Sequence, residues 1–219
     1  PKPKPQDRPL RLATYNVEWF NALFDNRGNL LEDREYSARY NITRAEQIGS
    51  LAIVFTALDA DGVMIIEAPD TNHRRSTVRA LENFAQKFDL RCRKAVIGFA
   101  SETEQEIAFL YNPDRLTVLH DPQGEPAPSH GLAGAPRFDT SLRADLDNDG
   151  VEDVVRFSKP PLELAVETKD GLRLRIIGVH AKSKTPHGQV TPEEFTRISI
   201  ENRRKQLAEC LWLRARAES

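Results

Sequence analysis

Cysteine is nearly missing from this chain. Cys92 and Cys210 are the only two in 219 residues. They are too few and too far apart for a disulfide framework or a zinc site, and read as two small buried or half-buried thiols. An excess of one charge is missing too. With 31 Lys and Arg against 33 Asp and Glu the net charge is −2, so no global basic field advertises nucleic acid, although a local basic groove is compatible with that average. No apolar run reaches the roughly 18 residues that span a bilayer. No signal-peptide pattern opens the chain, and no internal repeat is visible. What remains is a composition 39% apolar and 29% charged, that of a soluble globular protein with length enough for one large domain or two small ones.

The chain opens Pro1-Lys2-Pro3-Lys4-Pro5, and residues 1–9 read as an extended, solvated tail or linker stub ahead of a domain over 10–219. The absence of an initiator Met leaves open a removed Met or a cleaved upstream segment. Localisation therefore stays open, with a secreted or periplasmic protein among the options. Leu10 to Val17 reads as a buried strand. Thr43 predicts an N-cap with Glu46 in capping-box spacing, and Ile48, Leu51, Ala52, Phe55 and Leu58 then recur at helical spacing. Asp61-Gly62 breaks into a strand over 63–67. A second helix is expected over 74–87, with strands at 91–99, 105–111 and 115–119. Residues 120–141, rich in Pro, Gly and Ser, read as a long surface loop. Strands at 151–157, 162–168 and 172–180 follow, the last two joined by Lys169-Asp170-Gly171, a hairpin turn signal. A final helix from Pro192 is expected to turn Ile200, Leu207 and Leu211 inward. The class predicted is α/β with mixed sheets.

Three strand ends carry polar groups: Asn16 after Leu12-Ala13-Thr14-Tyr15, Glu67 after Val63-Met64-Ile65-Ile66, and His180 after Gly178-Val179. Taken singly, the Asn reads as a turn or cap, the Glu as solvated and the His as a structural group. Taken together, an amide, a carboxylate and an imidazole on separate strand tips suit a divalent metal and a phosphate. A carboxylate oxygen suits a hard cation such as Mg²⁺. A neutral amide can position phosphate or water, and an imidazole can donate to developing negative charge. Lys182 and Ser183 lie just beyond His180 and are candidate contacts to phosphate oxygens. Glu18, two residues from Asn16, is a candidate supporting residue.

These segments resemble the endonuclease/exonuclease/phosphatase superfamily, the deoxyribonuclease I-like fold. Thr14-Tyr15-Asn16-Val17-Glu18-Trp19-Phe20 is similar to its opening strand, whose Asn sits by the metal and phosphate. Asp61 to Glu67 is similar to its metal-binding strand, although Ile66 stands where a Gln commonly precedes the Glu. Ile107 to Leu116 is similar to the next hairpin, and Ser158-Lys159-Pro160-Pro161-Leu162 to the segment entering the following strand. Gly178-Val179-His180-Ala181-Lys182-Ser183-Lys184 is similar to the strand bearing the phosphate-contacting His, with Gly178 replacing a frequent Asn. Arg203-Arg204-Lys205-Gln206 is similar to the helix after it.

The resemblance runs in order over residues 11 to 211. It implies a four-layer α/β/β/α sandwich and a Mg²⁺- or Mn²⁺-dependent phosphoesterase. Its substrate would be a phosphoester, with nucleic acid among the candidates. Glu67 and Asn16 would sit at the metal and His180 at the transferring phosphoryl group. The family pattern continues with an Asp-x-Asn strand and a final Asp-His pair, which no residues after Arg204 supply. The second sheet is therefore expected to be incomplete, and the isolated chain to have little catalysis. Two rivals follow: a half-domain needing a complementing chain, and a non-catalytic, calcium-stabilised binding module of the same fold.

The calcium rival rests on Asp145-Leu146-Asp147-Asn148-Asp149-Gly150-Val151-Glu152-Asp153. Its carboxylates at Asp145, Asp147, Asp149 and Asp153 fall at positions 1, 3, 5 and 9, with Gly at 6, a spacing that folds a short turn around Ca²⁺. Arg156 stands where an EF-hand places its bidentate Glu, and a strand is expected to follow. A solvated acidic hairpin turn is the alternative. His73, His120, His130 and His187 lack partner spacing and read as surface or loop histidines.

Overall fold

The computed structural model describes residues 8–18, 20–37, 41–72, 74–100, 106–124, 143–155, 157–186, 188 and 191–219. The chain is mixed α/β. Its elements are β1 (Leu12–Asn16), a short 3-10 turn (Phe20–Leu23), α1 (Arg44–Leu58), β2 (Gly62–Ala68), α2 (Thr77–Lys87), β3 (Lys94–Ile97), β4 (Glu106–Tyr111) and β5 (Leu116–His120). These are followed by β6 (Arg143–Ala144), β7 (Asp153–Val154), β8 (Leu162–Thr168), β9 (Arg173–Gly178) and α3 (Pro192–Glu218). Contacts divide the chain into two units. One holds the described residues up to Asp121 with Pro161–Val179, and the other holds those of Pro122–Pro160 with His180–Ser219. Residues 1–7 of the expected tail and most of the expected 120–141 loop lie outside the described residues. No described helix is long and apolar enough to cross a membrane.

The first unit has three layers, and β2 shows why. Its side chains alternate across a strand: Val63 and Ile65 join a core with Ile48, Leu51 and Phe55 of α1 and Leu81 and Phe84 of α2. Met64 and Ile66 join a second core with Val118, Leu164 and Val166 of another sheet. The central sheet runs β1-β2-β4-β3, with β1 parallel to β2 and the other pairings antiparallel. α1 is the crossover that a parallel pair requires. It starts in the capping box read from sequence: Glu46 N–H donates to Thr43 Oγ1 at 3.2 Å, and Thr43 N–H to Glu46 Oε2 at 2.8 Å. α2 starts at Thr77, later than expected, because Ser76 caps it.

The second sheet is β5-β8-β9, antiparallel throughout. Gly178 at the end of β9 lies directly on the first sheet: a Cβ there would stand 2.5 Å from Met64 Sδ and 3.0 Å from Ile107 Cγ2. The position therefore has no room for the larger Asn frequent in the resembled family. The second sheet's cover stops short of β1, where Leu12 is 45% exposed and Thr14 and Asn16 are exposed on the same face.

A buried charge cluster closes the opposite end of this unit. Asp61 has no solvent exposure. Its Oδ1 accepts from Arg8 Nη2 at 2.7 Å, and its Oδ2 from Arg115 Nη1 at 3.2 Å and the Arg11 N–H at 3.0 Å. Arg8, expected in the tail, is thus tied to the start of β2 and the β4–β5 turn. At that turn Arg93 bonds both oxygens of Asp114 at 2.6 and 2.9 Å.

The second unit pairs β6 with β7 around the acidic loop and contains the 27-residue α3. The expected strand 151–157 shortens to Asp153–Val154, because the following residues pack on α3 instead of extending a ladder. Phe157 meets Trp212 edge to face at 5.1 Å, and Lys205 Nζ donates to Ser158 Oγ at 3.1 Å. The helix therefore faces inward through Asn202, Ala208, Glu209 and Trp212. Ile200, Leu207 and Leu211, expected inward, are exposed at 47%, 60% and 53%. The inward face was set by the Trp212 stack, which the helical period alone does not reveal.

Two outcomes are expected. Asp61→Ala leaves two guanidinium groups without their buried carboxylate and lowers unfolding free energy by about 3–5 kcal/mol in urea titration. The Arg93 fork holds the Asp114 carboxyl below its ordinary value. Its stabilisation is therefore present above the ordinary carboxylate value and is lost as pH falls through the lowered one. Arg93→Met should move the Asp114 titration upward by carboxyl NMR and flatten stability over that acid window.

Candidate active site at the strand tips

The tips of β1 and β2 are brought together by their parallel register, which pairs Asn16 with Ile66. Val17 N–H extends the ladder to Ile66 O at 3.0 Å. The next residue, Glu67, breaks the pattern. A β-bulge falls between Ile66 and Ala68 against β4, and Glu67 takes a left-handed backbone with φ 63. A non-glycine residue there costs about 1–2 kcal/mol. Strain of this sort collects where a side chain has to be aimed. Here it turns the carboxylate toward the neighbouring tip, and Asn16 Nδ2 donates to Glu67 Oε1 at 3.2 Å.

The amide is held from its other side. Glu18, also left-handed with φ 45, donates its backbone N–H to Asn16 Oδ1 at 3.0 Å. Glu18 thus contributes through its main chain. Asn16 is exposed and Glu67 half-buried, so the pair stands at a solvent-reachable rim. β4 adds a carboxylate that the sequence reading missed. Glu106 is 3% exposed and pairs in register with Ala68, one residue from Glu67.

The loop after Glu67 is tied by side-chain hydrogen bonds. Thr77 Oγ1 donates to Pro69 O at 2.6 Å, Thr71 and Thr77 hydroxyls meet at 2.6 Å, and Asn72 Oδ1 accepts the Arg74 and Arg75 N–H groups. Asn21, in the 3-10 turn after β1, accepts the Asp70 N–H at 3.0 Å through Oδ1. Asn21, Asp70 and Arg75 were not singled out from sequence, because nothing in their local spacing marks them.

The remaining candidates are distributed differently. His180 follows β9 by two residues, is half-buried and belongs to the second unit. There the Lys182 backbone N–H donates to the buried Glu209 Oε2 at 2.6 Å, while Ser183 Oγ accepts the Thr185 N–H at 3.3 Å. Ser183 is thereby engaged in its own loop. Asp145, Asp147 and Asp149 each place a carboxylate oxygen within 4.8 Å of the others. Asp153 is outside that group and accepts the Leu146 N–H through Oδ2 at 3.2 Å. The loop turns on Asn148 and Gly150, both left-handed, and Arg204 Nη1 ties it to α3 through Leu146 O at 3.2 Å. His120, read as a loop residue, closes β5 edge to face with Phe99 at 4.9 Å. His73, His130 and His187 lie outside the described residues.

The strain at Glu67 has a measurable consequence. Glu67→Gly and Glu67→Ala both remove the carboxylate, but only Gly relieves the left-handed backbone. The Gly variant should unfold with about 1 kcal/mol more free energy than the Ala variant. Equal stabilities would mean that the bulge is unstrained. In comparisons with known proteins, no family model matches the chain, and neither the curated proteins nor the solved structures contain a match.

Proposed function

We propose that this chain carries a metal-dependent phosphoesterase site, most simply for phosphodiester hydrolysis, on a deoxyribonuclease I-like four-layer fold. The Asn16–Glu67 pair, formed on two strand tips with the carboxylate turned by a strained bulge, is the observation that carries the reading. The donors are oxygens and an amide, which fits a hard cation better than a soft one. Glu67 would hold Mg²⁺ or Mn²⁺. When bound, such an ion supplies positive charge that polarises a phosphoryl oxygen and acidifies water.

The chain's own residues supply the rest. Glu18 N–H fixes the Asn16 amide so that its NH₂ end faces the carboxylate, leaving a directed donor for phosphate or water. His180 would donate to negative charge developing on the transferring phosphoryl group. Lys182 would add charge beside it.

Two observations favour the rival readings. The uncovered face of β1, with Leu12 and Thr14 exposed next to Asn16, suits a complementing chain that would finish the second sheet and enclose the site. The three gathered carboxylates of the acidic loop suit a calcium-stabilised module.

Hydrolysis of bis(p-nitrophenyl) phosphate with Mg²⁺ should fall about 10²–10³-fold in Glu67→Gln and in His180→Ala. Mn²⁺ binding, followed by electron paramagnetic resonance, should be lost in Glu67→Gln and weakened about tenfold in Asn16→Ala. Turnover indifferent to chelator and to Glu67→Gln sinks the enzyme reading. Melting that rises with Ca²⁺, loses that rise in Asp147→Asn and is accompanied by no turnover supports the module.

A further inference from the structure

We propose that the outer face of α3 is an interface at which two copies of this chain associate, their helices antiparallel about a two-fold axis. The inner face of the helix is already occupied. Trp212 stacks on Phe157, Lys205 bonds Ser158, and Glu209 accepts the Lys182 N–H. Those contacts fix which residues point outward. On the outer side Glu193, Ile200, Leu207 and Arg214 follow one another at intervals of seven. Seven residues make nearly two full turns, so the four form a single stripe. All four are exposed, and so is Leu211, one turn beyond Leu207.

The stripe reads acid, apolar, apolar, base, an order complementary to its own reverse. Laid antiparallel, Glu193 of one copy meets Arg214 of the other, and Ile200 meets Leu207. The two-fold axis repeats each pair. A parallel pairing would set Glu193 against Glu193 and Arg214 against Arg214, so charge selects the antiparallel one. The N-terminal half also offers a receiving surface. A shallow, open and largely apolar groove is lined by Pro192, Glu193, Thr196, Arg197 and Ile200. In the antiparallel register Leu207 and Leu211 of the second copy fall opposite Ile200 and Thr196, two of the residues that line it.

Two terms oppose the association. Near the axis Arg203 of one copy faces Arg204 of the other, the latter tied to Leu146 O. Within each helix Arg214 pairs with Glu218 at 2.9 Å, both exposed. A surface pair of that kind contributes little and gives way readily to an intermolecular one. One helix pair with three apolar residues on each side also lies at the small end of specific interfaces, below about 1,200 Å². The association is therefore weak and reversible. The arginines alone would suit an anionic lipid surface, but Glu193, Glu194 and Glu201 crowd the N-terminal half and oppose that occupant.

Sedimentation velocity of the chain, kept reduced because Cys210 is exposed, tests this over loads of about 5–500 μM. The mass should rise from monomer to dimer with concentration and go no further, since a two-fold contact closes. Leu207→Asp should abolish the dimer and leave melting of the dilute chain unchanged. Glu193→Arg and Arg214→Glu should each weaken it about tenfold, and the chain carrying both reversals should regain most of that loss. Arg203→Gln should tighten it about twofold by removing the repulsion at the axis. A chain that stays monomeric at the highest load overturns the proposal. So does a dimer that survives Leu207→Asp, or a double reversal that recovers nothing. Binding of a monomeric chain to phosphatidylserine vesicles, weakened by Arg203→Gln, overturns it in favour of a lipid surface.

Discussion

β2 is buried on both faces, and much of the first unit is arranged around that constraint. One set of its side chains packs on α1 and α2 and the other on the second sheet. A strand enclosed in this way tolerates polar groups only at its ends, because an unpaired polar side chain in its middle would lose its hydration without return. The two ends are used differently. At the start, Asp61 is wholly buried and neutralised by arginines. At the finish, Glu67 is half-buried and meets an exposed amide. One carboxylate serves cohesion, and the other remains within reach of solvent.

Strain and bracing go together at the Glu67 end. A left-handed glutamate survives only if its surroundings determine it more strongly than its own preference opposes it. Here the Val17–Ile66 hydrogen bond continues the ladder past Asn16, the β4 pairing resumes at Ala68, and the loop beyond is tied by Thr77 and Asn21. A carboxylate held in this way would lose little freedom on taking up the cation proposed for it. That is the physical content of preorganisation.

The second unit has a different logic. Its β6–β7 ladder is only two residues on each strand, too short to stand alone. It depends on α3, through the Phe157–Trp212 stack, the Lys205–Ser158 bond and the Arg204 tether to the acidic loop. The buried Glu209 takes the Lys182 N–H in the segment after His180. An acidic residue on the inner face of a helix is thereby explained as a cap for a loop.

Local chemistry made much of this legible from the chain alone. The Thr43–Glu46 capping box, the period of α1 and the Asp170-Gly171 turn are decided by neighbours within a few residues, so sequence could specify them. The strand tips carrying Asn16 and Glu67 were legible because apolar runs ending in one polar group are visible without a fold. Tertiary structure decided what depends on distant partners. Register brought Asn16 to Glu67, and the β4 pairing created the bulge that aims it. Trp212 turned α3 away from its apparent apolar stripe, and close sheet packing required glycine at 178.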